Sequence, residues 1–226
     1  MPRNRVSPPS RRRTAILISG RGTNMAALVA ASKNAAYPAE IALVLSSRAD
    51  APGLERARAA GIATAHVDYT AGVARAEAGI ATHLAEHGID LVCLAGFMRL
   101  LSAEFVRGWN DRLINIHPSL LPAFPGLHTH ERALRAGVKV HGCTVHFVRA
   151  AVDNGPIIGQ AAVPVVPDDT PASLAARVLA AEHILYPKAL GLVAADRVRV
   201  VDDLCVFADR PADADAPGVL VALPGL

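Results

Sequence analysis

Short apolar runs alternate with amphipathic stretches along most of the chain. Residues 15–19, 41–46, 62–67 and 90–95 are brief runs rich in branched side chains, the pattern of buried strands. Residues 24–32, 53–60 and 73–87 lie between them and read as helices, followed by a short helix over 103–108 and a strand over 113–117. This alternation predicts βαβ units, hence a Rossmann-like α/β fold: a mostly parallel, twisted sheet with flanking helices and right-handed crossovers. After Gly137 the texture changes. Residues 140–149 and 156–166 are long, alternate, and are joined around Asp153-Asn154-Gly155, so the C-terminal part is expected to hold an antiparallel element, either a hairpin or two strands bridged by a loop. Residues 171–190 read as an amphipathic helix with Pro171 near its start. No internal repeat is visible.

Composition changes this picture little. With 226 residues the chain can form one domain or a tight two-lobed unit around a good core. Hydrophobic residues make up 52%, yet no uninterrupted apolar run approaches the roughly 18 residues of a membrane span, so no membrane contact is expected. Cys93, Cys143 and Cys205 show no CxxC spacing, which points to a cytoplasmic setting, and Cys93 reads as a small core residue. The net charge of +3 misleads, because Arg3, Arg5, Arg11, Arg12 and Arg13 fall in residues 1–13 with no acid and leave −2 for the remainder. Those first thirteen residues, Pro- and Arg-rich, are read as a disordered basic tail without the apolar core of a secretory signal. A slightly acidic body gives no reason to expect a nucleic-acid partner. Residues 202–226, rich in Asp, Pro and Ala, are expected to be an irregular extension.

The chemistry concentrates in Asn115-Ile116-His117-Pro118-Ser119-Leu120-Leu121-Pro122. Asn115 and His117 stand two apart at the end of a strand, so their side chains share one face, and Pro118 and Pro122 stop regular structure beyond them. Ligands of open α/β sheets bind outside that end of the strands. An isolated Asn-x-His can also simply satisfy itself at a strand edge. Joined by Asp153, the three groups suffice to move an acyl group onto an amine. The amide and imidazole donate to a developing oxyanion, while the carboxylate favours the protonated ring and helps to carry a proton away. No serine or cysteine nucleophile is needed if the amine attacks directly.

Gly20-Arg21-Gly22-Thr23-Asn24 follows the first strand and opens the first helix. Glycines permit a tight turn, and the helix amides beyond it can cradle a phosphate. A dinucleotide would require a third glycine and an acid ending the second strand. Asn24-Met25 and Ser46-Ser47-Arg48 occupy those places, so a single terminal phosphate fits better, and a turn without a ligand is the plain alternative. Among the nine histidines, His128, His130, His141 and His146 can be drawn as ligands, but their spacing matches no common zinc pattern and no metal is expected. His66, His83, His87 and His183 read as surface or cap residues.

The stretch from Asn115 to Pro122 resembles the signature of the folate-dependent formyltransferases. Pro125-Gly126-Leu127-His128-Thr129-His130 resembles their phosphoribosylglycinamide formyltransferase branch. Ile18-Ser19-Gly20-Arg21-Gly22-Thr23-Asn24, Leu94-Ala95-Gly96-Phe97-Met98-Arg99-Leu100-Leu101, His141-Gly142-Cys143-Thr144-Val145-His146-Phe147-Val148 and Ala181-Glu182-His183-Ile184-Leu185-Tyr186-Pro187 agree in order and spacing. The resemblance implies a formyltransferase domain over residues 14–201, with 10-formyltetrahydrofolate as co-substrate and a phosphorylated ribosyl amine as acceptor. It implies catalytic roles for Asn115, His117 and Asp153, with His146 in support. Gly22, Thr23 and Asn24 would hold the 5′-phosphate, Glu182 the ribose hydroxyls, and Pro118 the wall near the glycinamide. Met98, Arg99, Leu100, Leu101, Val106 and Leu113 would form the folate pocket, with Arg99 toward the stem's carboxylate. Ala150, Ala151, Val152 and Asp153 would supply backbone contacts to the pterin.

Taken without the resemblance, Met98 to Leu101 would pass for ordinary core. Arg21, the basic tail and Gly159 depart from the family's usual pattern. A methionyl-tRNA formyltransferase would be expected to continue into a second domain, and a formyltetrahydrofolate hydrolase to begin with a regulatory one. A nucleotide-binding regulatory module would not need an intact Asn115, His117 and Asp153. The expected partners are small molecules, and the expected assembly is a monomer or homodimer.

Overall fold

The computed structural model describes residues 11–208. Seven strands form one sheet, numbered along the chain as β1 (Arg12–Ile18), β2 (Ala39–Ser46), β3 (Ala63–His66), β4 (Leu91–Leu94), β5 (Leu113–His117), β6 (Val140–Phe147) and β7 (Ile157–Pro164). Their spatial order is β3-β2-β1-β4-β5-β6-β7. The first five run parallel, whereas β6 pairs antiparallel with β5, and β7 with β6. The helices are α1 (Thr23–Ser32), α2 (Pro52–Ala59), α3 (Val73–Glu86), α4 (Ala103–Gly108), α5 (Thr129–Arg135) and α6 (Pro171–Ala194). A separate hairpin joins β8 (Val198–Val201) to β9 (Leu204–Phe207).

The fully apolar reading of the central strands has a direct structural meaning. Ile16 and Ile18 of β1 sink into a core shared with α1, α2 and α6, while their neighbours Ala15 and Leu17 sink into a second core under α3 and α4. Successive side chains of a strand point to opposite faces, so a strand covered on both sides has no polar position to alternate with. The order of strands reverses between β1 and β4, and the loops after those two strands part company there. That divergence opens the crevice in which α/β sheets bind ligands.

Helix α6 fixes the site from behind. A capping box between Thr170 and Ser173, with Pro171 at the first turn, starts it. Fully buried Tyr186 then donates its hydroxyl to the carbonyls of Leu94 (2.9 Å) and Ile114 (3.2 Å), pinning β4 and β5 at the height of Asn115.

Several sequence expectations are corrected. The basic tail expected over residues 1–13 overlaps the sheet, because β1 begins at Arg12. Arg11 donates to the carbonyls of Ser32, Tyr37 and Ala39, Arg12 pairs with Asp196, and Arg13 donates to the His87 carbonyl, so carbonyls and carboxylates absorb these charges. Residues 1–10 lie outside the described residues. The expected irregular ending is also interrupted. Leu204-Cys205-Val206-Phe207 forms β9, because Asp202 and Asp203 both adopt positive φ (50° and 59°) and make the two-residue turn that closes a tight hairpin. Helix α6 runs four residues past Leu190, and α5 forms where the sequence pattern marks no element.

Candidate active site

Three connections meet at the carboxyl edge of the parallel strands: 95–102 after β4, 118–128 after β5, and 148–156 between β6 and β7. They wall a cleft of about 590 Å³ lined by Met98, Leu100, Asn115, His117, Pro118 and Asp153, among others. An adjoining hollow continues along Leu101 and Val106 to His146 and Ala150, and Arg99 and Val152 line both. Met98, Leu100, Leu127 and Val152 are exposed large apolar side chains on this rim, a concentration that marks a binding surface. A hydrogen bond from the Met98 amide to Ser19 Oγ (2.8 Å), itself 2.6 Å from Ser47 Oγ, ties this wall to the ends of β1 and β2.

Asn115, His117 and Asp153 converge as expected. Antiparallel register sets Asn115 opposite His146 and His117 opposite Thr144. His146 Nδ1 lies 2.9 Å from the Phe147 carbonyl, which only accepts, so that nitrogen donates and Nε2 is left as an acceptor. Asn115 Nδ2, 3.3 Å away, donates to it and keeps a second N–H for the cleft. Burial holds the His146 pKa below its ordinary value, consistent with a neutral, accepting ring.

His117 is held at both nitrogens. Nε2 lies 3.1 Å from the Phe124 carbonyl, and Nδ1 lies 3.3 Å from Asp153 Oδ1, with only 7% and 10% of the two side chains exposed. Each ring nitrogen thus faces an acceptor, so a proton on either is directed into a hydrogen bond. The second oxygen of Asp153 accepts from the Gly126 amide at 2.8 Å. Phe124 and Gly126 were not singled out from the sequence because they act through backbone atoms. Their only trace was Pro125-Gly126, a turn pair, and both residues indeed take positive φ (54° and 78°).

The Gly-rich turn forms a second centre across the crevice. Gly22, in the left-handed conformation (φ 69°), caps α1, and no side chain caps the first-turn amides of Thr23 and Asn24. The start of α2 presses on this turn so closely that a Cβ on Gly53 would lie 2.4 Å from Ile18 Cδ1 and 3.0 Å from the Gly20 carbonyl. Asn24 Nδ2 donates to Glu182 Oε2 at 2.6 Å. Burial raises the Glu182 pKa, and the Asn24 bond opposes that rise. Asn24 Oδ1 is buried and has no protein partner.

Other expected residues fall in different places. Leu113 is fully buried in the core beneath the hollow and supports it from behind. Ala151 sits exposed in the loop, and Arg99 stacks over the Tyr69 ring at 5.1 Å. His130 lines the cleft and leans against the buried His141 beneath it, ring centroids 5.5 Å apart. Among the described residues no group of three or more His, Cys, Asp or Glu is arranged to hold a metal, and no helix is long and apolar enough to cross a membrane.

An amide, an imidazole and a carboxylate gathered at the carboxyl edge of such a sheet make a group-transferring enzyme of the α/β class. Residues 12–190 match the family model described as Formyl transferase, and the chain belongs to that family. It is 44% identical over 187 residues to the phosphoribosylglycinamide formyltransferase of Escherichia coli strain K12, covering 82% of this chain and 88% of the relative. It is 47% identical over 205 residues to the trifunctional purine biosynthetic protein adenosine-3 of Drosophila pseudoobscura pseudoobscura, where the match takes in 88% of this chain but spans only 15% of the relative. The crystal structure of glycinamide ribonucleotide transformylase 1 from Symbiobacterium toebii superimposes with a TM-score of 0.86 at 48% identity, over 89% of this chain and 96% of that one.

Proposed function

We propose that the chain transfers the formyl group of 10-formyltetrahydrofolate to the amine of 5′-phosphoribosylglycinamide, a step of purine biosynthesis. The observation that carries this reading is the Asn115–His117–Asp153 cluster opening onto an apolar cleft. Relatives at 44% and 48% identity, named for formyl or transformyl transfer to this ribonucleotide, support the acceptor and the group moved.

In this reading the phosphate rests on the uncapped amides at Gly22, Thr23 and Asn24, where a helix start favours an anion. Glu182, buried and already accepting from Asn24, accepts further from the ribose hydroxyls, and Pro118 borders the amine. Met98, Leu100, Leu101, Val106 and Val152 cover the flat pterin, with Leu113 behind them. The backbone of residues 150–153 meets its polar edge, and Arg99 swings toward the stem's carboxylate. Holding both substrates in one cleft contributes up to about 7–11 kcal/mol in favourable cases.

The neutral amine nitrogen attacks the formyl carbon. A C–N bond forms and the carbonyl oxygen becomes an oxyanion. The remaining N–H of Asn115 donates to it, and the positive ring of His117, fixed by Phe124 and Asp153, stabilises its charge. Losing one such donor costs on the order of 3–4 kcal/mol. Asp153 takes the amine's proton through water and returns it to the folate nitrogen, whose bond to the carbon then breaks. The enzyme needs no metal for this sequence. It works on small molecules, not nucleic acid or membrane, as a monomer or homodimer in the cytoplasm.

The test is a spectroscopic assay of purified protein with 10-formyltetrahydrofolate and phosphoribosylglycinamide. Loss of the formyl group that depends on the amine is expected. Release of formate without the amine would identify a hydrolase instead, and inertness with both substrates present would overturn the proposal.

A further inference from the structure

We propose that Arg149 is a positioning residue that draws the C-terminal hairpin into the working of the active site, by clamping Asp111 and Asp203 and so setting where the loop that carries Asp153 leaves β6. This role presupposes the formyl-transfer reading above.

The catalytic cluster comes from two separate pieces of chain. Asn115 and His117 sit on β5, and Asp153 sits at positive φ (51°) in the loop after β6. Their relative placement depends on what joins the approach to β5 with the exit of β6. Arg149 stands at that junction, only 18% of its side chain exposed. Its Nη2 donates to Asp111 Oδ1 at 2.8 Å, in the turn that feeds β5. Its Nε donates to Asp203 Oδ1 at 3.0 Å, in the turn between β8 and β9. The preceding residue, Val148, makes a backbone bond to Leu113 on β5 at 2.9 Å.

The returning end of the loop presses on the same side chain. A Cβ on Gly155 would collide first with the Phe147 carbonyl and would also come within 3.2 Å of Arg149 Cγ, so the loop returns against the end of β6 and past the same arginine stem. Arg149 also lines the hollow shared by Asn115, His146, Ala150 and Asp153. Asp203 is 68% exposed, and an ion pair so open at one end adds little to global stability. What the pair does is orient a guanidinium that has two carboxylates in fixed directions, and through it the loop.

Steady-state kinetics on Arg149→Met test this, since methionine keeps most of the stem and removes the charge. The KM for the formyl donor should rise and kcat fall, together lowering kcat/KM by about tenfold or more, while the KM for the phosphorylated amine stays unchanged. Arg149→Lys should recover part of the loss. Asp203→Asn should weaken the wild type but add nothing to Arg149→Met. A merely structural role would lower the melting temperature and the active fraction and leave both KM values alone, and that result would overturn the clamp.

Calorimetric titration with tetrahydrofolate reads the clamp apart from turnover. A wild type that binds tetrahydrofolate but transfers no formyl group refutes the function. Equal Kd values in the wild type and Arg149→Met refute the clamp, and a wild type that does not bind refutes both.

Discussion

Acidification should unfold this protein through His141, and the size of the effect follows from where that ring sits. His141 is 1% exposed and packs edge-on against Phe124 and His130, with ring centroids 5.7 and 5.5 Å away. Both ring nitrogens are buried without a well-formed hydrogen bond, and the nearby Pro118 backbone only partly offsets that burial. Burial, followed by the charge of His130, pushes its pKa down to about 4. In the unfolded chain the same ring titrates near 6.5. Between those values the unfolded chain binds a proton that the folded one refuses, so stability falls as the pH drops through that window. Above about pH 7 and below about pH 4 the contribution is flat. The full difference is on the order of 3 kcal/mol, about 2 kcal/mol of it reached by pH 5, a sizeable part of the roughly 5–15 kcal/mol that holds a domain together. Urea unfolding at pH 7, 6 and 5, followed by circular dichroism, measures it in the wild type and in His141→Gln, whose amide does not titrate. The variant should lose about 2 kcal/mol less between pH 7 and pH 5. Some slope should persist, because His130, His146 and His183 are depressed by burial in the same direction. Equal slopes in the two proteins would refute the reasoning.

Asn115→Ala should lower kcat by about 10²–10³, and combining it with His117→Ala should cost less than the sum of the two, because both act on one oxyanion; a cycle of single and double variants checks this, with strict additivity as the contrary result. Asp153→Asn should reduce turnover by about 10²–10⁴ while folate binding, read by calorimetry, stays close to that of the wild type; equal loss of both would contradict a proton-handling role. Gly53→Ala should destabilise by about 1–3 kcal/mol and raise the KM for the phosphorylated substrate, since the new methyl must push into Ile18 and the turn that holds Gly22; an unchanged melting temperature and KM would show that the turn yields freely.

Where sequence and structure agree, the agreement has local causes. The pairing of Asn115 with His117 on one strand face follows from the two-residue period of a strand, and the end of that strand was marked by prolines. The central parallel strands were visible because both faces are covered and residues 15–18 of β1 and 91–94 of β4 are all apolar. Where they differ, the missing information was not in side-chain identity. The Phe124 carbonyl and the Gly126 amide hold the His117 ring and the Asp153 carboxylate, yet any residue carries those groups. Leu113 looked like pocket wall and is core, because it shares the face of Asn115 but starts the strand, two residues farther from the carboxyl edge and beneath the hollow. The hairpin of β8 and β9 was hidden because Asp202-Asp203 reads as polar disorder until both residues are seen at positive φ.

The βαβ alternation through β5, the shared face of Asn115 and His117 and the presence of a loop acid were written into the chain by periodicity and residue chemistry, which act over a few neighbouring positions. The meeting of Asp153 with His117, the service of Asn115 by His146, and the bridging of Asp111 to Asp203 through Arg149 arose only on folding. Those contacts join residues far apart in sequence, and only the packing of the antiparallel strands and the locking of α6 through Tyr186 bring them within a few ångströms of one another.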